Sequence, residues 1–286
     1  MKNAIELKSV SKRFPGFEIK NMTFSLPSGC ILGLIGKNGA GKSTTIHLIM
    51  NMLRKDQGCI KVLGKNNEEH FEQVKEDIGV VLDEPGFPEF ITIDKVNKIM
   101  RNIYRNWEED RYYELVKQLE LPRGKKQFKD YSKGMKMKLA IAVALSHQAK
   151  LLILDEPTSG LDPVVRDQLL DIFYEFTRKE GHSILISSHI VGDLERLCDY
   201  IAYIDDGRLK IFEEKDQLLQ QYGLLKCSIE ELQELDECAI KGIRKYTYGV
   251  EALVDKRRIP QGYQTDIVTL EEILVFLAKG QKGVRI

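Results

Sequence analysis

Strand-like and helix-like patterns alternate over about the first 220 residues. Residues 4–10 and 17–26 read as strands, and Pro27-Ser28-Gly29 supplies turn chemistry before the next element. Residues 30–35 are a short apolar run entering a glycine-rich loop, the expectation for a buried strand. Over 43–53 the apolar positions Ile46, Ile49, Met50 and Leu53 fall at helical spacing, so the chain opens with strands feeding a strand–loop–helix unit. Residues 92–121 read as one helical stretch: Thr92 can cap it, Val96, Ile99, Met100 and Ile103 line one face, and Leu121-Pro122 stops it. A second helical stretch covers 132–147, and 151–154 is a buried strand by composition that ends in two carboxylates. Asp162-Pro163 opens a further helix with a capping residue and a proline at its first position. Its expected buried face is Val165, Leu169, Ile172, Phe173 and Phe176. Residues 183–187 are the next strand, and 200–205 with 208–212 form a hairpin across Asp206-Gly207. After Gly223 the pattern changes to short strand-like and helical pieces, closing with an amphipathic helix over 270–277.

Length and charge narrow the class. A chain of 286 residues sets a prior of one or two domains. With 43% hydrophobic and 30% charged residues a full core is available, so global disorder is excluded. Lys and Arg (43) balance Asp and Glu (43), which argues against a general nucleic-acid coat. The densest apolar runs, 30–35 and 139–145, fall far short of the roughly 18 residues a membrane helix needs. No charged-then-apolar leader opens the sequence, and five cysteines without a CxxC pair suit a reducing cytosol rather than a disulfide scaffold or zinc site. Cys227 and Cys238 are expected to be buried free thiols.

Two segments carry chemistry. Gly36-Lys37-Asn38-Gly39-Ala40-Gly41-Lys42-Ser43 fits the phosphate-loop pattern G-x-x-x-x-G-K-[ST]. Its glycines let successive backbone N–H groups turn inward toward phosphate oxygens without a Cβ in the way, and the helix that follows adds its positive dipole end. Lys42 is placed to reach the β and γ phosphates of a nucleotide, with Ser43 as a Mg²⁺ ligand and Thr44 beside it. The second segment, Leu151-Leu152-Ile153-Leu154-Asp155-Glu156, delivers Asp155 to the Mg²⁺ shell and leaves Glu156 to polarise an attacking water.

With these, the chain resembles the ATP-binding subunits of ABC transporters. The resemblance rests on the phosphate loop, Tyr131-Ser132-Lys133-Gly134-Met135, Asp155-Glu156-Pro157-Thr158, Ser159-Gly160-Leu161-Asp162 and Ser188-His189, in family order over residues 4 to about 215. It implies an α/β fold: a phosphate-loop ATPase core with an N-terminal antiparallel subdomain, a helical subdomain over about 85–148, and a small C-terminal accessory domain, with the boundary between 222 and 223. It implies Phe14 as the aromatic that stacks on adenine, with Phe17 as a rival. Glu156 becomes the general base and His189 a contact to the γ phosphate and water. Ser132 and Gly134 complete the site of an opposite subunit. The implied partners are a separate membrane-spanning subunit and a second ATPase subunit, identical or not, at the cytoplasmic face of the membrane; no nucleic acid is expected. The segment around Trp107 and the Ser-Lys-Gly-Met signature resemble Gram-positive-type exporters of drugs, antimicrobial peptides or peptide toxins.

Three positions depart from the family pattern. Asp83 stands where a glutamine is usual, either as a Mg²⁺ ligand or as a cap for the next turn. Lys133 replaces a glycine and Met135 a glutamine, within a stretch from Arg123 to Lys138 that holds seven basic residues and one acid. That stretch is either a solvated helix entrance or, through Lys133, a face toward the partner's nucleotide. The competing functions are a soluble ABC ATPase acting on DNA or ribosomes and a low-turnover ATP-binding regulator. The first is disfavoured because only 90 residues separate Lys42 from Ser132, without sustained heptads, and one phosphate loop is present.

Overall fold

The computed structural model describes residues 2–247 and 249–279. These fall into two compact units, one ending at Phe212 and the other beginning at Glu213. The first opens with strands β1 (Asn3–Phe14), β2 (Phe17–Pro27) and β3 (Ile31–Ile35), helix α1 (Lys42–Ile49), and strands β4 (Gln57–Val62) and β5 (Lys65–Asn66). β2, β1, β4 and β5 lie in that order in an antiparallel sheet. β1 runs four residues past the expected end at Val10. Its register shifts between Leu7 and Val10, where Ser9 takes a left-handed φ of 51°, so the period-two pattern is lost while pairing continues to Phe14.

Strand β6 (Ile78–Val81) is followed by α2 (Ile93–Ile103), α3 (Glu109–Gln118) and α4 (Lys133–Ala144). The single helix expected over 92–121 is therefore two. The chain breaks at 104–108 to seat its aromatics: Tyr104 stacks on buried His147 at 4.0 Å, Trp107 Nε1 donates to Asn97 Oδ1 at 2.7 Å, and Glu108 N donates to Ser146 O. Of the expected buried face of α2, Val96 is buried but Ile99 and Ile103 are exposed; Ile93 and Asn97 join Val96 in the interior. Thr92 stands at the N-cap of α2 but its side chain makes no capping bond. Burial holds the His147 imidazole below the usual histidine range, although both ring nitrogens face backbone carbonyls, of Val143 and Ile78.

The rest of the unit is β7 (Leu151–Asp155), α5 (Pro163–Thr177), β8 (Ser183–Ser188), α6 (Val191–Leu197), β9 (Tyr200–Asp205) and β10 (Arg208–Glu214), whose last two residues already belong to the second unit. Asp162 caps α5 as its type predicts, accepting from Val164 N and Val165 N. The second sheet has the order β10-β9-β3-β8-β7-β6, with parallel pairing from β9 through β6. β3, β7 and β8 are buried along their whole length, as near-continuous apolar runs in a covered parallel sheet should be. Their carboxyl ends collect the phosphate loop, Asp155-Glu156 and Ser188-His189 at one edge.

The second unit holds α7 (Lys215–Gln221), β11 (Tyr222–Cys227), α8 (Ile229–Gln233), β12 (Ile240–Tyr246), β13 (Gly249–Asp255) and α9 (Leu270–Lys279). Its antiparallel sheet runs β11-β13-β12 around Leu225, Leu232, Val250, Ala252 and Val254. The compositional change at Gly223 falls inside β11. Cys227 and Cys238 are free, but Cys227 is only half-buried and Cys238 is exposed, because it sits in the turn before β12.

Candidate active site

β3 buries five consecutive residues and releases the chain at Gly36 into the phosphate loop. The loop lies against the N-terminal sheet at Gly41, whose φ is +111°; a Cβ there would stand 2.5 Å from Ile19 Cδ1 and 3.1 Å from Phe17 Cζ. Only glycine fits that approach. α1 then begins at Lys42, with Thr45 Oγ1 donating to Gly41 O at 2.8 Å. Gly36, Ala40, Gly41 and Lys42 are buried, whereas Lys37, Asn38, Gly39 and Ser43 are exposed and Thr44 is half-buried. The loop thus has an accessible rim over a fixed floor.

Lys42 is 5% exposed, and its ammonium donates to Gly36 O at 2.8 Å and lies 3.1 Å from Glu156 Oε1. That oxygen accepts no directed hydrogen bond, so the ammonium charge is what offsets its burial. The other oxygen, Oε2, lies 2.6 Å from His189 Nδ1 and accepts from the His189 backbone N–H at 3.3 Å. A carboxylate can only accept, so Nδ1 carries the proton in this contact and Nε2 is left as the second imidazole nitrogen. Glu156 therefore bridges the phosphate-loop lysine and the histidine after β8. Its backbone takes a left-handed φ of 50°, uncommon for a residue with a Cβ and a feature that clusters at functional sites.

Asp155 is 3% exposed, and Ser187 Oγ donates to its Oδ1 at 2.5 Å. Ser187 is a neighbour of the acids that sequence reasoning misses; the available signal is a hydroxyl at the carboxyl end of an otherwise apolar buried strand. Phe14 and Phe17 separate on geometry. Both are half-buried, but Phe17 packs on the core and walls Gly41, while Phe14 lies 6.3 Å from Phe17 with Lys12 Nζ 5.8 Å above its ring.

The signature segment is held elsewhere in the same chain. Ser132 caps α4 by accepting from Met135 N at 3.2 Å, and a Cβ on Gly134 would lie 3.2 Å from Leu161 Cδ2 in the loop after β7. Lys133 donates to Asp83 Oδ1 at 3.2 Å, so two of the departing positions meet each other. Both side chains are about half exposed, which limits the pair to about 1 kcal/mol or less. Lys133→Ala and Asp83→Asn are accordingly expected to leave chemical denaturation midpoints nearly unchanged; a loss above ~2 kcal/mol in either would show that the pair holds the fold.

The donor set near the phosphate loop suits a hard cation. The exposed Ser43 hydroxyl and the Asp155 carboxylate are oxygen ligands of the type Mg²⁺ takes, one or two from protein with the rest from phosphate and water.

Comparison with known proteins decides the family. The ABC transporter family model matches residues 19–159. A lantibiotic transport ATP-binding protein of Streptococcus pyogenes is 34% identical over 69% of this chain and 85% of its own. The chain belongs to the ATP-binding proteins of ABC transporters. Within this family, an ABC transporter ATP-binding protein of Bacillus subtilis is 29% identical over 98% of this chain and 92% of its own. A solved ATP-binding subunit of an ABC transporter superposes with a TM-score of 0.70 at 30% identity, covering 76% of this chain and 92% of that one. As a member of the family the chain is an ATP-binding and ATP-hydrolysing transport subunit.

Proposed function

We propose that the chain powers export of a small peptide or drug-like compound by Mg²⁺-dependent ATP hydrolysis, docked on a separate membrane-spanning subunit at the cytoplasmic face. The observation that supports the chemistry best is the continuous cluster of Lys42, Glu156 and His189. Lys42 and the loop N–H groups bind the phosphates, Ser43 and Asp155 are the ligands for Mg²⁺, and the ring of Phe14 stacks on adenine. Bound Mg²⁺ supplies neutralisation of phosphate charge. Glu156 takes the proton of the attacking water, and His189 holds the carboxylate by Nδ1 while its Nε2 faces water and the γ phosphate.

Phosphate loop and signature are served by different elements of one chain, α1 and α4. Two cassettes meeting head to tail would place Ser132 and Gly134 of one on the ATP of the other, and closure on ATP followed by opening would move the membrane subunit. No helix among the described residues is long and apolar enough to cross a membrane, so the membrane path is assigned to another chain. The lantibiotic transport relative supports a peptide cargo.

Purification of the tagged chain from its native host in mild detergent, followed by mass spectrometry, tests the assignment. A stoichiometric membrane-spanning protein is expected. Recovery of ribosomal or DNA-processing proteins alone, or of no partner, would overturn the transport assignment and leave the ATP chemistry standing.

A further inference from the structure

We infer that Ser187 is a positioning residue for hydrolysis, setting both consecutive acids at the end of β7; this rests on the ATPase reading of the site. β8 is apolar through Ile184, Leu185 and Ile186, then ends in two fully buried serines. A buried hydroxyl without partners is costly, so where its bonds go is informative. Ser188 acts locally, its Oγ accepting from Ile190 N at 2.9 Å and shaping the turn around His189. Ser187 makes no bond of that kind. The parallel register puts it beside Asp155, and its hydroxyl donates to Asp155 Oδ1 at 2.5 Å. The same hydroxyl oxygen accepts from Glu156 N at 3.0 Å.

The polarity of these two bonds is fixed. A carboxylate only accepts and a backbone N–H only donates, so one hydroxyl serves both acids at once. For Asp155 the bond selects a side-chain orientation and engages one oxygen, leaving Oδ2 as the oxygen available to a ligand. For Glu156 it pins the amide of a residue whose φ is +50°, where the strand must leave extended geometry. A relaxed backbone at Glu156 would swing its carboxylate away from Lys42 and His189, which lie at 3.1 and 2.6 Å. Misplacement of a catalytic group by about 1 Å can cost on the order of 100-fold in rate.

The Ser187→Ala variant isolates this role. Alanine changes the volume little, and the Glu156 amide keeps the Ser187 carbonyl at 3.2 Å as a partner, so the backbone is not orphaned. The full-length variant and parent are titrated with ATP to count binding sites and affinity, and turnover is expressed per ATP-binding site. The expected result is parental ATP affinity with turnover per site reduced ~10- to 100-fold. Turnover within twofold of parent, or affinity falling in parallel with turnover, would overturn the positioning role. A parent that binds ATP but does not hydrolyse it would instead remove the ATPase reading. Because binding is counted independently of catalysis, a fraction of misfolded protein cannot imitate the expected split.

Discussion

Glu156→Gln is expected to lower ATP turnover by at least ~100-fold while ATP still binds. The substitution keeps size and planarity but removes the proton acceptor. It also replaces the charge that Lys42 meets at 3.1 Å, leaving the ammonium free for phosphate. The carbonyl oxygen of the glutamine can still accept from His189, so the local backbone has no reason to move. Because hydrolysis is what reopens the proposed head-to-tail pair, the variant should accumulate as a dimer with ATP and Mg²⁺. Phosphate release and size-exclusion chromatography measure the two effects separately. Undiminished turnover would remove Glu156 as the base; a monomer at saturating ATP would count against the shared-site mechanism.

Gly207→Val is expected to destabilise the first unit by ~3 kcal/mol or more and to weaken ATP binding with it. Gly207 closes the turn between β9 and β10 at φ +66°, and a Cβ there would stand 1.8 Å from the carbonyl oxygen of Glu18. The residue also ties three parts together. Its N–H donates to Ala40 O in the phosphate loop at 3.0 Å, and its carbonyl accepts from Lys20 N in β2 at 2.9 Å. Relief of the clash must break one or both bonds, so the loop floor shifts with the turn. Chemical denaturation and ATP titration report this; a loss below ~1 kcal/mol with parental affinity would mean that the turn moves without carrying the loop.

Contiguous chemistry is legible in the sequence, and chemistry assembled across strands is not. The phosphate loop, the Asp155-Glu156 strand end and the Asp162 cap each work through neighbours in the chain, so residue type and spacing reveal them. Ser187 works through the pairing of β7 with β8, 32 positions from Asp155, and becomes visible only when register is known. The pairing of Asp83 with Lys133 spans 50 positions and escapes for the same reason. Gly207 reads as a hairpin residue, which it is, but its bonds to Ala40 and Lys20 belong to tertiary structure. The break at 104–108 illustrates a different limit. Helical periodicity continues through it in the apolar positions, and what interrupts the helix is the docking of Tyr104 and Trp107 onto side chains from other segments.

That break gives the molecule a built-in optical probe. Trp107 is the only tryptophan in the chain, its indole N–H is donated to buried Asn97, and its ring packs against Tyr104 and Tyr112 at centroid distances of 6.3 and 5.2 Å. Emission excited at the red edge of the indole band therefore comes from one place, the junction of α2 and α3. Loosening of that junction will register as a spectral shift even when every strand of the six-stranded sheet stays intact. Events confined to the second unit, which carries tyrosine but no indole, will pass unseen in the same channel.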